Sequence, residues 1–358
     1  MLPPYSSERA FTEAIDLLKS LIECPSLSRQ EADTADLLYD FLAQRLPQVK
    51  RHLNNVYAYA RNWQTGRPTI LLNSHHDTVK AAAGYTRNPH QPDVEGGRLY
   101  GLGSNDAGGA LVALIATFLR LENDPTLNCN LILAATAEEE ISGPNGVAAL
   151  LPQLGQIDAA IVGEPTLLQL AIAERGLVVI DGEAQGKSGH AARQEGINAL
   201  YLALEDIQTI RQFSFDRAST LLGPTRANVT QITAGTQHNV VPDRCTFVID
   251  LRVNEQYTNE EAVALLQDQV NSILTARSYR LQSSSIALDH PLVQAGIAIT
   301  QSTPYGSPTL SDQALMPFPT LKLGPGDSAR SHTADEWIGI EEIQRGIDVY
   351  CQLLLAAY

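Results

Sequence analysis

The sequence predicts an α/β fold, a mostly parallel sheet sandwiched by helices, interrupted by a smaller α+β domain. Three observations predict it. Apolar runs without polar alternation ("TILLN", "LILAA", "AAIVG") recur between segments of helical apolar spacing, the pattern of strands buried on both faces. From about residue 176 the order changes to β-α-β-β-α-β, the split unit of ferredoxin-like domains. At 358 residues, finally, the chain exceeds what one hydrophobic core comfortably serves, so two domains are expected.

Taken in order, Phe11, Ile15, Leu18 and Ile22 mark a first helix after the cap candidates Ser6 and Ser7. Ser28 and Glu31 have the spacing of a capping box that opens a second helix carrying Leu38 and Phe41. Strands follow at "NVYAYA" (55–60) and "TILLNSHHD" (69–77), then a helix at 108–123, a strand at 131–135 and "AAIVGEP" at 159–165. Next come a strand at 177–186, a helix at 196–212, strands at 226–235 and 244–253, a helix at 258–274 and a strand at 278–286. Thr258 and Glu261 cap the second of these helices. The α/β pattern then resumes with "TLKLGPG" (320–326) and a closing helix at 341–358. The expected domains are therefore 1–175 with 287–358, and an insert at 176–286.

A net charge of −15 disfavours a nucleic-acid binder and allows an enzyme that concentrates cations. No apolar span suits a bilayer, and "MLPPYSSERA" lacks the regions of a signal peptide, so a cytoplasmic protein with no membrane partner is expected. Cys24, Cys129, Cys245 and Cys351 have no CxxC spacing and read as reduced thiols.

The functional signal lies just past the strands. One delivers His75 and Asp77 in "SHHDTV"; the loop "YGLGSNDAGG" delivers Asp106; "AEEEISG" delivers Glu138, Glu139 and Glu140; "GEPT" delivers Glu164; and "SHTADE" delivers His332. Ligand crevices in α/β sheets form at these strand ends. Two imidazoles with several carboxylates make a mixed N/O set suited to zinc or another divalent transition metal. So many carboxylates suggest two ions sharing a bridging carboxylate, an arrangement used by hydrolases. "GLGSND" is not a phosphate loop, because the third glycine of GxGxxG is missing.

Taken together, these motifs resemble, in order and over nearly the whole chain, the dinuclear metal aminoacylases and peptidases related to acetylornithine deacetylase, succinyl-diaminopimelate desuccinylase and carboxypeptidase G2. The resemblance implies a metallo-exopeptidase-like catalytic domain with a ferredoxin-like dimerisation or lid domain inserted in it. It implies one ion on His75, Glu164 and Asp106 and a second on Glu140, His332 and Asp106, with Asp77 orienting His75 and Glu139 as the base. Glu138 then points away. A cis peptide at Asp106–Ala107 is implied as well. In the insert, "GKSGHAARQEGINA" resembles the segment whose histidine, here His190, reaches across a dimer to hold the developing oxyanion. "HNVVPDRCTFVIDLR" resembles the segment whose asparagine and arginine, here Asn239 and Arg252, hold the substrate carboxylate. On the residues alone, Asp250 and Arg252 also suit a solvated strand face.

The resemblance lies nearest the acetylornithine-type deacetylases. It implies a homodimeric enzyme of arginine biosynthesis that removes a short acyl group from an N-acyl amino acid of the ornithine or citrulline type, with two divalent ions, zinc first, cobalt or manganese next. The competing readings are a dipeptidase or carboxypeptidase on the same centre and an inactive dimeric metal-binding relative.

Overall fold

The computed structural model describes residues 5–193 and 195–358, and the chain divides into two compact units. One comprises residues 1–172, 285–305 and 311–358; the other comprises 173–284 with 306–310. Compared with the expected insert of 176–286, the second unit also takes in a short downstream segment. There the Gly306 backbone lies so close to Leu221 and Leu222 that a Cβ would sit 2.6 Å from Leu222 Cδ2.

The first unit is built on a mixed sheet whose centre is parallel. Its order runs Val49–His52, Asn55–Tyr59, Asn130–Thr136, Thr69–His75, Ala159–Val162, Thr320–Lys322, Ala171–Glu174. Asn130–Thr136, Thr69–His75, Ala159–Val162 and Thr320–Lys322 run parallel to one another, and antiparallel strands complete the sheet on either side. Every residue of Thr69–His75, Asn130–Thr136 and Ala159–Val162 is buried, as uninterrupted apolar runs require. The register aligns His75 with Thr136 and Asn73 with Val162. The loops that follow these three strands therefore leave the sheet along one edge, and they carry the candidate ligands.

The helix Gly109–Leu121 is buried along its length except at Arg120. It packs with Ser7–Glu23 and Ile340–Ala357 over the sheet. Ser6 caps the first helix by accepting the Arg9 N–H at 3.3 Å. The Ser28–Glu31 capping box does not form: the second helix runs Ala32–Ala43, and Glu31 occupies its cap position without a side-chain cap bond. Both side chains have been recruited to the site described below, where Ser28 donates to a buried carboxylate and Glu31 accepts a buried backbone N–H, groups that need partners more than a solvated helix end does.

The second unit has an antiparallel sheet in the order Arg226–Ala234, Arg244–Val253, Gly176–Gln185, Ile273–Ala276, with helices Ala199–Gln212 and Asn259–Gln267. This is the strand order of the ferredoxin-like split unit. Val178, Ile180, Phe247, Ile249 and Leu251 form its core with Ala203, Ile210, Ala262 and Leu266. Gly182 lets the Phe247 ring lie on the neighbouring strand, where a Cβ would come within 2.3 Å of it. The expected helix 258–274 stops at Gln267, and the strand placed at 278–286 is instead Ile273–Ala276. The helix is cut short because the Asp206 carboxylate captures the N–H groups of Asn271 and Ser272, at 3.1 and 2.7 Å.

The Thr258–Glu261 capping box is present, with reciprocal bonds of 3.1 and 2.9 Å. Thr258→Ala is expected to lower stability by about 1 kcal/mol in urea unfolding, the usual cost of losing such a cap.

Candidate active site

His75 ends a buried strand, and the backbone two residues further on orients its ring. Nδ1–H donates to the Asp77 carbonyl at 2.9 Å, which fixes the tautomer and leaves the Nε2 lone pair outward. Nε2 lies 3.3 Å from Asp106 Oδ1 and 3.9 Å from both Glu139 Oε2 and Glu164 Oε1. On the other side of Asp106, Oδ2 lies 3.7 Å from His332 Nε2, which itself sits 3.0 Å from Glu140 Oε2. One carboxylate thus presents an oxygen to each of two imidazole–carboxylate groups. The Asp106–Ala107 peptide is cis, as the resemblance implied.

Asp77 does more than orient His75. Its carboxylate, 3.5 Å from His75 Nδ1, accepts the backbone N–H of Glu139 at 3.0 Å, that of Glu140 at 3.2 Å and the Ser28 hydroxyl at 2.7 Å. Burial pushes this carboxyl up, but the bonds from His75, Ser28 and Glu139 hold it below its ordinary range. Glu138 points away from the centre: its buried carboxylate accepts from the Asn145 backbone and side-chain N–H groups at 3.2 and 2.8 Å. Its own N–H donates to Glu31 Oε1 at 3.2 Å. Glu138 and Ser142 flank the Glu139–Glu140 turn in left-handed conformations, φ 55° and 44°, and His332 shares that region at φ 58°. Non-glycine residues in such conformations collect where a site holds them.

His76, the neighbouring imidazole, is excluded from the centre. Nε2–H donates to the Asn54 carbonyl and Nδ1 pairs with the Thr34 hydroxyl, both at 2.9 Å. Burial holds its pKa down to about 4, so it is neutral.

The electrostatics call for cations. Burial drives Glu139 well above the ordinary carboxylate range, and Glu164 to about 8, with the neighbouring carboxylates adding to both. The bond to Glu140 lifts His332 to about 9. In His75, burial favours the neutral ring, but the carboxylates of Asp106 and Asp77 outweigh it and raise the pKa. Donor atoms of His75, Asp106 and Glu140 lie within 4.8 Å of one another, as do those of His75, Glu139 and Glu164. Imidazole and carboxylate donors at that spacing suit zinc or a related divalent ion, so the residues fit a metal pair.

The second unit presents the other three predicted residues. His190 pairs with Val240, and the Asn239 carbonyl accepts the Ala191 N–H at 3.1 Å, so His190 and Asn239 sit together. His190 Nδ1 accepts the Ala192 N–H at 3.2 Å, which leaves Nε2–H as an exposed donor. Arg252 is elsewhere. It lies eight residues along Arg244–Val253 from the end nearest Asn239, about 26 Å at the rise of a strand. Its Nε and Nη2 hold Asp250 at 2.8 and 3.0 Å. Within one chain, Asn239 and Arg252 therefore stand at opposite ends of a sheet.

Sequence reasoning missed three acidic residues that build the site. Glu31 has the spacing of a helix cap but accepts the Glu138 N–H instead. Asp312 accepts from Asn73 and Thr136 at 2.9 and 2.8 Å, joining the two strands that lead to His75 and Glu139, and burial raises it to about 6. Glu336 lies beneath the Asp106 loop. Asp312 and Glu336 come from irregular segments where no periodicity marks a buried side.

The model described as Peptidase family M20/M25/M40 matches residues 71–356. The chain is 29% identical over 302 residues to a succinyl-diaminopimelate desuccinylase of Rhodospirillum centenum, covering 78% of each protein. It is 28% identical over 395 residues to an acetylornithine deacetylase of Shigella sonnei, covering 99% of this chain and 97% of that protein. The crystal structure of aminopeptidase PepT from Bacillus cereus shares the fold, with a TM-score of 0.75 at 18% identity over 98% of this chain and 99% of that one.

The two adjacent histidines should separate cleanly. His75→Ala is expected to lose bound zinc or cobalt, read by metal analysis after dialysis. His76→Ala should keep the metal but lose about 1–3 kcal/mol of stability, because the Asn54 carbonyl is left without its donor.

Proposed function

The chain belongs to peptidase family M20/M25/M40, and from that we propose a metallohydrolase that removes an acetyl or succinyl group from an N-acyl amino acid of the ornithine or citrulline type. The observation that carries this reading is Asp106, its two oxygens turned to His75 and His332, with Glu139 at the same centre. Relatives that deacetylate or desuccinylate amino acids, matched over most of this chain, support the substrate class and a role in arginine biosynthesis. Among the described residues no helix is long and apolar enough to cross a membrane, and a cytoplasmic location accords with such a role.

His75, Glu164 and Asp106 would hold one divalent ion, and Glu140, His332 and Asp106 the other. Zinc is the first choice, with cobalt or manganese next. Such a pair supplies Lewis acidity that activates water near neutral pH and polarises the acyl carbonyl. Glu139 takes the proton of the attacking water and returns it to the leaving amine. Its carboxylate lies 3.9 Å from His75 Nε2, at the centre where both halves of that transfer occur. His190 Nε2–H donates to the oxyanion, and Arg252, through the Nη1 that has no part in the Asp250 pair, meets the substrate carboxylate. A small substrate cannot touch both ends of the second unit's sheet. In this proposal, then, His190 and Asn239 come from one subunit of a homodimer and Arg252 from the other. The edge strand Arg226–Ala234 and the helix packed on it support such a dimer, since Ile232, Tyr201 and Leu204 are exposed there.

A panel of acetyl- and succinyl-ornithine, -citrulline, -lysine and -diaminopimelate, with dipeptides beside them, assayed with zinc or cobalt, tests the substrate. Turnover of dipeptides alone would reject the deacylase reading. Chelation should abolish activity and added metal restore it. Glu139→Gln should retain metal and lose roughly 10²–10⁴-fold in kcat, the usual worth of a general acid–base. Mixing His190→Ala with Glu139→Gln subunits under exchange should restore about a quarter of wild-type activity, since random pairing makes half the dimers mixed, each with one intact site. A mixture that exchanges and stays inactive rejects the shared site.

A further inference from the structure

The loop that carries Asp106 and the segment that carries His332 are fastened together by a carboxylate outside the ligand set. Glu336 is buried, four residues beyond His332. Its Oε1 accepts the backbone N–H of Asn105 at 2.8 Å and that of Asp106 at 2.9 Å, and its Oε2 accepts that of Gly103 at 3.0 Å. Those three donors converge because Gly103 turns through a left-handed conformation, φ 75°, which curls the loop into a concave anion nest. The Glu336 carbonyl adds a bond from the Gly101 N–H at 3.0 Å. On the opposite side Asn105 closes the seam, donating to the Asp327 carbonyl and accepting the Asp327 N–H, both at 3.0 Å. Next in the chain, the Trp337 ring carries the guanidinium groups of Arg98 and Arg330, 4.0 and 3.7 Å from its centroid.

Three converging N–H groups demand a group that only accepts. A carboxylate meets that demand, whereas an amide would turn a donor toward one of them. The choice is electrostatically awkward, because Glu336 adds a negative charge beside Asp106. Burial with that neighbour raises its pKa to about 7 despite the three N–H bonds. A loop tie alone could be made by uncharged groups farther off. This one acts at the Asp106 backbone itself, from which the bridging carboxylate projects.

We propose that Glu336 is a positioning residue for the metal centre, locking the Asp106 loop to the His332 segment so that one carboxylate faces both ions at once. The inference rests on the dinuclear reading above. Its test uses the 358-residue chain, stripped of metal and titrated with cobalt(II), followed by calorimetry and by the visible spectrum of the bound ion. Glu336→Gln, of nearly the same shape, should weaken cobalt binding by roughly 10–100-fold, as loss of a partner to a ligand commonly does, and should shift the visible bands. Glu336→Ala should do more. Thr258→Ala serves as the control for stability alone: it should lower the melting temperature of the metal-free protein and leave affinity and spectrum unchanged. Wild-type affinity and spectrum in Glu336→Gln would overturn the inference. If the wild type binds a single cobalt ion, the dinuclear reading fails. Glu336 is then judged at that one ion, supported by weaker binding in Glu336→Gln and rejected by equal binding.

Discussion

The carboxylate of Asp77 receives hydrogen bonds from two loops far apart in sequence, and the rest of the centre takes its shape from it. It holds the backbone N–H groups of Glu139 and Glu140 and the hydroxyl of Ser28, while its own carbonyl fixes the His75 ring. The strand ending at His75 and the turn that carries the two glutamates are thereby set in one register. Because Asp77 is buried, each of those bonds is worth more than it would be in water, and the loss of any one leaves a polar group without a partner. The left-handed residue before the pair, Glu138, is held by Glu31 in the same manner.

Around that frame the protein gathers like charges that repel one another. Asp106, Glu139, Glu140 and Glu164 meet within a few ångströms, with two imidazoles among them. Without cations such a group relieves itself by taking up protons, which is the direction in which Glu139 and Glu164 are driven. Divalent ions offer the other resolution. Folding therefore stores a demand for positive charge at the sheet edge, and the acidic balance of the whole chain favours meeting it with metal.

The second unit follows a different logic. Its sheet has alternating buried and exposed positions, and its two ends are separated by the length of a strand. His190 and Asn239 stand beyond one end and Arg252 near the other, so sheet geometry, not loop flexibility, decides which of them a single small molecule can touch. That separation makes the oligomeric state part of the chemistry in the proposed mechanism.

By itself the sequence determined the parallel centre of the main sheet, the insertion and its strand order, and the residues that gather at the strand ends. Each rests on local signals: unbroken apolar runs, the change of element order after 176, and short motifs such as "SHHDTV" and "GEPT" placed just past a strand. Tertiary structure alone decided what Ser28, Glu31, Asp312 and Glu336 do. The Ser28–Glu31 spacing is that of a helix cap, yet the Ser28 hydroxyl donates to the Asp77 carboxylate and Glu31 accepts the Glu138 N–H, because polar groups in a buried site lose more by going unpaired than a helix end open to water does. The shortened helix at Gln267 has the same cause, a distant Asp206 taking the N–H groups that the next turn would have used. Local pattern records which side of an element is apolar. Which distant polar group will reach a given N–H depends on chain segments brought together only by folding.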